Sequence, residues 1–305
     1  MSTLPANKKV VGLGLACLDQ LILWQDMSAP VQSNKIVAHD VQGGGMVGTA
    51  LVAVTRLGGQ AEYWGAVGDD WMGEMILQGL RHERVDTGQV VKVPGKEGPL
   101  VVVCIDQPTG ERHFQYWTGF EDPAEPIGSL DRLHDAGCLL IDGCQRASAL
   151  RAAQEARRLG VPVVGDVGWI HEHTKGLLAC MDYAIASENC ARSLGSADDI
   201  RKACQLLHAM GPGQVVVTLG SRGLVAYDGQ RFLEQPAFPV EVVDTTGAGD
   251  TFHGAFCFGL VQGFTLEKNL AFASATAALK CRKMGGRKGI PAREEVEAMV
   301  NWSIG

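Results

Sequence analysis

The 305-residue chain predicts a doubly wound α/β fold, a mostly parallel sheet flanked by helices, on three observations. Short apolar, β-rich runs alternate with segments of helical period along most of the length. Most of these runs are apolar on both faces, as suits strands covered by helices on either side. Two stretches, Asp19–Val41 and Val91–Tyr116, have strand composition without a crossover helix beside them, and predict a small antiparallel sheet forming a discontinuous lid. At 46% hydrophobic and 20% charged, the composition supports one large core, so residues 1–305 are expected to fold as a single domain. Thirty-four acidic against 27 basic residues give a net charge of -7, with no basic stripe to follow a phosphate backbone, which argues against a nucleic-acid partner.

The first strand is Val10–Ala16. Lys8 and Lys9 precede an apolar run there, but Asp19 stops it with no small-residue cleavage site behind, so it reads as a strand and not a secretory leader. Ala50, Ala53, Val54 and Leu57 recur at helical spacing, and Ala61–Val67 follows as a strand. The acids and prolines of Thr118–Ile127 predict an exposed loop. Cys138–Asp142, Val161–Val167, Tyr183–Ala186 and Gln214–Leu219 read as further strands, with a helix marked by Ile200, Ala203, Cys204 and Leu207 between the last two. No stretch approaches the ~18 apolar residues of a membrane span. Nine cysteines, odd in number and never spaced C-x-x-C, predict buried, reduced thiols and a cytoplasmic protein.

The strongest chemical signal runs from Val242 to Phe252, where Asp244-Thr245-Thr246 leads into Gly247-Ala248-Gly249-Asp250. Phe252, Ala255, Phe256 and Gly259 then share one helical face. A Gly-Ala-Gly turn opening a helix leaves convergent backbone N–H groups that no side chain shields, and such a turn binds anions. Asp250 would place a carboxylate beside that anion, suited to accept a hydroxyl proton; a glycine turn capped by an aspartate explains the same residues. The turn Thr218–Gly223 reads either as a hairpin between Val215–Leu219 and Leu224–Tyr227 or as a phosphate contact. No G-x-x-x-x-G-K-[ST] occurs, which removes the P-loop class. His253 reads as a packing or capping residue. Gly43-Gly44-Gly45-Met46-Val47-Gly48 satisfies G-x-G-x-x-G, with Glu62 further on, and so admits a dinucleotide-dependent oxidoreductase. Against that, Glu62 begins its strand where a ribose-binding acid should end one.

The Asp244–Phe252 segment resembles D-T-x-G-A-G-D-x-F, the signature of the ribokinase-like (PfkB) carbohydrate kinases. The similarity continues through Gly43–Gly45, Leu57-Gly58, Gly65–Asp70 with Gly73, and Thr218–Gly223. The resemblance implies an ATP-dependent kinase acting on a hydroxymethyl group of a small sugar or a nucleoside. Asp250 would be the base, and the amides of Gly247, Ala248 and Gly249 the anion hole. Asp19 and the backbone of Gly44 and Gly45 would hold the sugar, with Thr49 where the family often has asparagine. Thr218, Gly220, Ser221 and Gly223 would line the ATP phosphates. Glu188 is the carboxylate nearest the family's magnesium position, while Asp244 and the Thr246 carbonyl match positions that hold a monovalent cation such as K+ in many relatives. The resemblance also implies a homodimer joined through the lid. The stretches Ala278–Cys281 and Gly285–Pro291 resemble the sulfofructose kinase branch, in which a lysine at the position of Lys35 faces an anionic substrate. Arg112 and Arg146 are further candidates for such an anion.

Overall fold

Among the described residues, which are 8–29, 34–109, 111–120, 127–170, 172–194 and 199–301 of this computed structural model, the chain first builds β1 (Lys9–Leu13), β2 (Cys17–Trp24), β3 (Ile36–Gly44), α1 (Met46–Arg56), β4 (Ala61–Trp64), β5 (Ala66–Gly68) and α2 (Trp71–His82). It continues with β6 (Val91–Val93), β7 (Leu100–Asp106), β8 (Arg112–Trp117), β9 (Ala136–Ile141), α3 (Arg146–Leu159), β10 (Val163–Val167), α4 (Glu172–Leu178), β11 (Tyr183–Ser187), α5 (Glu188–Ser193) and α6 (Ile200–His208). The last elements are β12 (Gln214–Thr218), β13 (Leu224–Tyr227), β14 (Phe232–Gln235), α7 (Ala248–Val261), α8 (Leu266–Lys280) and α9 (Arg293–Met299).

The main sheet has the order β14-β13-β12-β11-β10-β9-β1-β4, parallel from β12 to β4 and antiparallel at β13 and β14. Side chains alternate along each strand between two cores. Val10, Leu140, Val164, Ile185 and Val216 meet Val54, Ile76, Phe256 and Phe272 from α1, α2, α7 and α8. Val11, Leu139, Val163, Ala184 and Val217 meet Ala152, Ala156, Cys204 and Leu207 from α3 and α6 on the opposite face. The chain leaves β1 for β4 on one side and reaches β9 on the other, so the strand order reverses between β1 and β9, where a doubly wound sheet opens a crevice.

The lid sheet has the order β3-β2-β7-β8. It corrects the expectation of an antiparallel lid, because β2 and β7 run parallel, Leu18 beside Leu100. The whole excursion β3-α1-β4-β5-α2-β6 serves as the crossover that a parallel pair requires. Two smaller corrections follow. Ala61–Val67 splits at Gly65 into β4 and β5, and Val91–Val93 pairs with β5 instead of joining the lid. In the expected loop Thr118–Ile127, Thr118 is exposed but Ile127 is buried; residues 121–126 lie outside the described residues. All nine cysteines are free, and Cys144 is exposed, whereas seven others are buried.

Candidate active site

Loops at the carboxyl ends of β1, β9, β10, β11 and β12 share one edge of the sheet, and α7 starts above it. Gly247, at φ 74°, caps α7, and packs so closely on Gly286 that a Cβ would lie 2.8 Å from its carbonyl oxygen. Asp250 stands in the first turn and is half-buried. Burial first, then the like charge of Asp166, pushes its carboxyl up to about 7, against the pull of His253. His253, one turn on, has Nδ1 2.7 Å from the Gly249 carbonyl, and Nε2 3.6 Å from Asp166 and 3.5 Å from the Ile185 carbonyl. It therefore ties the first turn of α7 to the ends of β10 and β11, the packing role expected of it. The Ala248 amide already donates to the Thr245 carbonyl at 3.1 Å. Among the amides at the helix start, those of Gly247, Gly249 and Asp250 have no backbone acceptor, whereas that of Ala248, one of the three expected to form the anion hole, does.

Asp19 lies on β2 opposite Gln42 and is buried, which pushes its carboxyl up while the Cys17 thiol and Arg287 oppose the shift. A Cβ on Gly44 would stand 2.1 Å from the Asp19 carboxylate, so the glycine is what lets that side chain lie flat on the lid backbone. Gly45, at φ 84°, opens α1 where a Cβ would meet Ala16 and Leu15 backbone at 2.6 Å. Thr49 is buried on α1 and accepts from Arg287 Nε at 3.4 Å.

Arg287 was not foreseen as a site residue. It is buried, and its Nη2 donates to the Gly44 carbonyl at 2.7 Å. Its guanidinium fills a slot open only because Gly43 and Gly48 lack side chains, a Cβ on either falling 2.0 or 2.7 Å from it. The loop Gly285-Gly286-Arg287 touches β3 through Gln42, the signature turn through Gly247 and Asp244, and α1 through Thr49, and so assembles the site from three distant segments.

Asp142 and Asp166 were also missed. Asp142 follows β9 and accepts from the amides of Leu15 at 2.7 Å and Cys144 at 2.8 Å; burial, only partly offset by those amides, pushes it up to about 6. Both acids line a cavity of about 360 Å³ at the β1–β9 crevice, shared with Leu15, Phe120, Arg146 and Trp169. Asp19 and Asp250 lie outside its lining. Acids at the carboxyl ends of predicted parallel strands were the available signal.

On the other half of the edge, Thr218 ends β12 beside Ser187, and the turn carries Gly220 at φ 59°, an exposed Ser221, and Gly223 at φ 89° before β13 returns. The hairpin is real, and its tip lies on the same edge as α7. Glu188 does not offer a free carboxylate to magnesium: Arg192 holds one oxygen at 2.6 Å and Arg222 the other at 2.5 Å, and their bonds hold the carboxyl below its usual range. Lys35 is exposed next to β3, where Trp24 pairs Ile36, five residues along the ribbon from the Asp19–Gln42 pair. Lys35 itself lies opposite Gln25, six residues from Asp19, so at about 3.4 Å per residue its backbone stands roughly 20 Å away along the ribbon. Glu62 is buried and bound by Arg132 at 2.6 Å, Trp64 at 2.9 Å and Lys9; against the cost of burial these bonds pull it down to about 2 and leave nothing for a ribose.

Comparison with known proteins shows the family. The PfkB family carbohydrate kinase model matches residues 7–293, and the chain belongs to that family. It is a phosphotransferase with an alcohol group as acceptor, and ATP is the donor, which overturns the oxidoreductase alternative. The ribokinase of Bacillus subtilis is 28% identical over 262 residues, covering 85% of this chain and 87% of its own. A nucleoside kinase of Methanothermobacter thermautotrophicus is 27% identical, with 93% of each chain covered. The structure of Arabidopsis thaliana ribokinase with ribose and ATP superposes with a TM-score of 0.88 at 25% identity, over 97% of this chain and 100% of that one.

Proposed function

We propose that the protein transfers the γ-phosphoryl group of Mg-ATP to a hydroxymethyl group of a small sugar or sugar derivative held beneath the lid. The observation that carries this reading is Asp250, in the first turn of α7 beside amides that no backbone acceptor takes up, where burial and Asp166 push its carboxyl up. Asp19, the Gly44 and Gly45 backbone, and Arg287 orient the acceptor. Asp250 takes the hydroxyl proton as the oxygen attacks the γ-phosphorus, and ADP leaves toward the Thr218–Gly223 turn. The amides of Gly247, Gly249 and Asp250 face the charge on the transferred group. Magnesium enters with the nucleotide; among the described residues no cluster of three or more His, Cys, Asp or Glu could hold a resident ion.

A nucleoside acceptor is the second reading, and the cavity favours it: Phe120 and Trp169 line a space beside the acids that a base could enter and stack in. An anionic sugar, such as a sulfosugar, has Arg146 of that cavity as its support, since Lys35 stands apart. Measuring ATP turnover against neutral sugars, sulfosugars and nucleosides decides among the three, and no turnover with any hydroxymethyl acceptor overturns them all. The edge strands of the lid expose Ile36, Val41 and Trp117 on one face, and Phe114 and Tyr116 on the Asp19 face; whether two copies pair through the lid is checked by sedimentation. Nine free thiols suit a cytoplasmic setting. No helix among the described residues is long and apolar enough to cross a membrane.

A further inference from the structure

The family resemblance puts a monovalent cation at Asp244 and the Thr246 carbonyl, and the residues present do not fit one. Lys280, the last residue of α8, is 0% exposed. Its Nζ donates to the Asp244 carbonyl oxygen at 2.9 Å. Donors already crowd the Asp244 carboxylate. One oxygen accepts from the Thr246 amide at 2.9 Å, the Thr246 hydroxyl at 2.8 Å and Arg112 at 3.0 Å, and the other from the Gly285 amide at 2.6 Å. A bound alkali cation needs oxygen lone pairs turned toward it, and here four donors compete for those of the Asp244 carboxylate while Lys280 takes the Asp244 carbonyl.

Lysine is almost never fully buried unless it is paired. Its ammonium is a compact single positive charge on a flexible stem, and so matches a monovalent ion in charge and shape. We propose that the Lys280 ammonium is a built-in monovalent cation that braces the Asp244–Gly247 turn and frees this kinase from any need for potassium. Lys280 is a positioning residue. It touches Asp244, three residues before the Gly247 cap, and reaches it from α8, which packs along α7, the helix that carries Asp250. Burial pulls the ammonium down and the Asp244 charge pushes it back up. The inference rests on membership of the kinase family and on nucleotide binding, not on which acceptor is phosphorylated.

The test measures melting temperature and the affinity for Mg-AMP-PNP in choline, potassium and ammonium chloride at equal ionic strength, for the wild type, Lys280→Ser and Lys280→Gln. Wild-type affinity should agree within about twofold in all three salts. Lys280→Ser should bind the analogue about tenfold more weakly in choline, near the lower end for a lost charge-assisted bond. Potassium or ammonium, filling the space left, should restore most of that affinity and raise the melting temperature. Lys280→Gln keeps a donor but no charge and fills the space, so it should bind weakly in every salt. A wild type whose affinity rises more than about fivefold in potassium overturns the proposal, as does a folded Lys280→Ser that is indifferent to the cation. Should neither variant fold, the wild-type comparison decides alone.

Discussion

Replacing Asp250 with asparagine should abolish turnover and stabilise the fold, and both effects follow from the same environment. Burial and Asp166 raise the Asp250 carboxyl from 3.8 to about 7. A carboxyl raised in the fold contributes stability that is complete below its unfolded value of 3.8 and is lost as pH rises through about 7. Three units at 1.36 kcal/mol each set that loss at about 4 kcal/mol at alkaline pH, and about 1.5 kcal/mol of it is already present at pH 5. Asparagine cannot ionise, so Asp250→Asn should gain on the wild type by about 2–3 kcal/mol more at pH 8 than at pH 5 in urea denaturation. Its kcat should fall by about 10²–10⁴, while Mg-AMP-PNP still binds. In the wild type, kcat should fall as pH drops through about 7, because only the ionised carboxylate can take a proton. A variant that keeps kcat within tenfold, or a stability gap equal at the two pH values, would refute the assignment.

Gly249→Val should leave the melting temperature nearly unchanged, because a Cβ there meets nothing within 4 Å, yet weaken Mg-AMP-PNP binding at least about tenfold by crowding the anion; unaltered nucleotide binding would place the anion elsewhere. Lys35→Ala should change kcat/KM by less than about twofold for neutral and anionic acceptors alike, since the residue lies along the ribbon from Asp19. A loss confined to anionic acceptors would return it to the site. Arg287→Met should cost about 1–3 kcal/mol of stability, removing the charged bond to the Gly44 carbonyl, and raise the acceptor KM more than it lowers kcat. An acceptor KM equal to that of the wild type would confine Arg287 to packing.

The parts of this molecule legible in the sequence are those fixed locally. Strands apolar on both faces announce a covered parallel sheet, and the Gly-Ala-Gly-Asp turn announces a helix start with free amides, because these demands act within a few residues of chain. The lid's parallel pairing was not legible, since strand composition carries no direction and Leu18 meets Leu100 across a long intervening excursion. The missed residues are mostly charged ones read as solvated by default. Arg287 is buried only because Gly43 and Gly48, far away in sequence, leave it a slot. Lys280 was nearer to being readable: it continues the buried helical face of Ala273 and Thr276, at spacings of three and four residues, where a solvated lysine has no place. A lysine on an apolar helical stripe has to find an acceptor inside the fold, and the end of α8 meets the Asp244 turn, whose Val243 and Asp244 amides pair with the Cys281 carbonyl. The contact that satisfies the buried ammonium therefore also ties the end of α8 to the Asp244 turn, beside the two bonds from that turn to the Cys281 carbonyl.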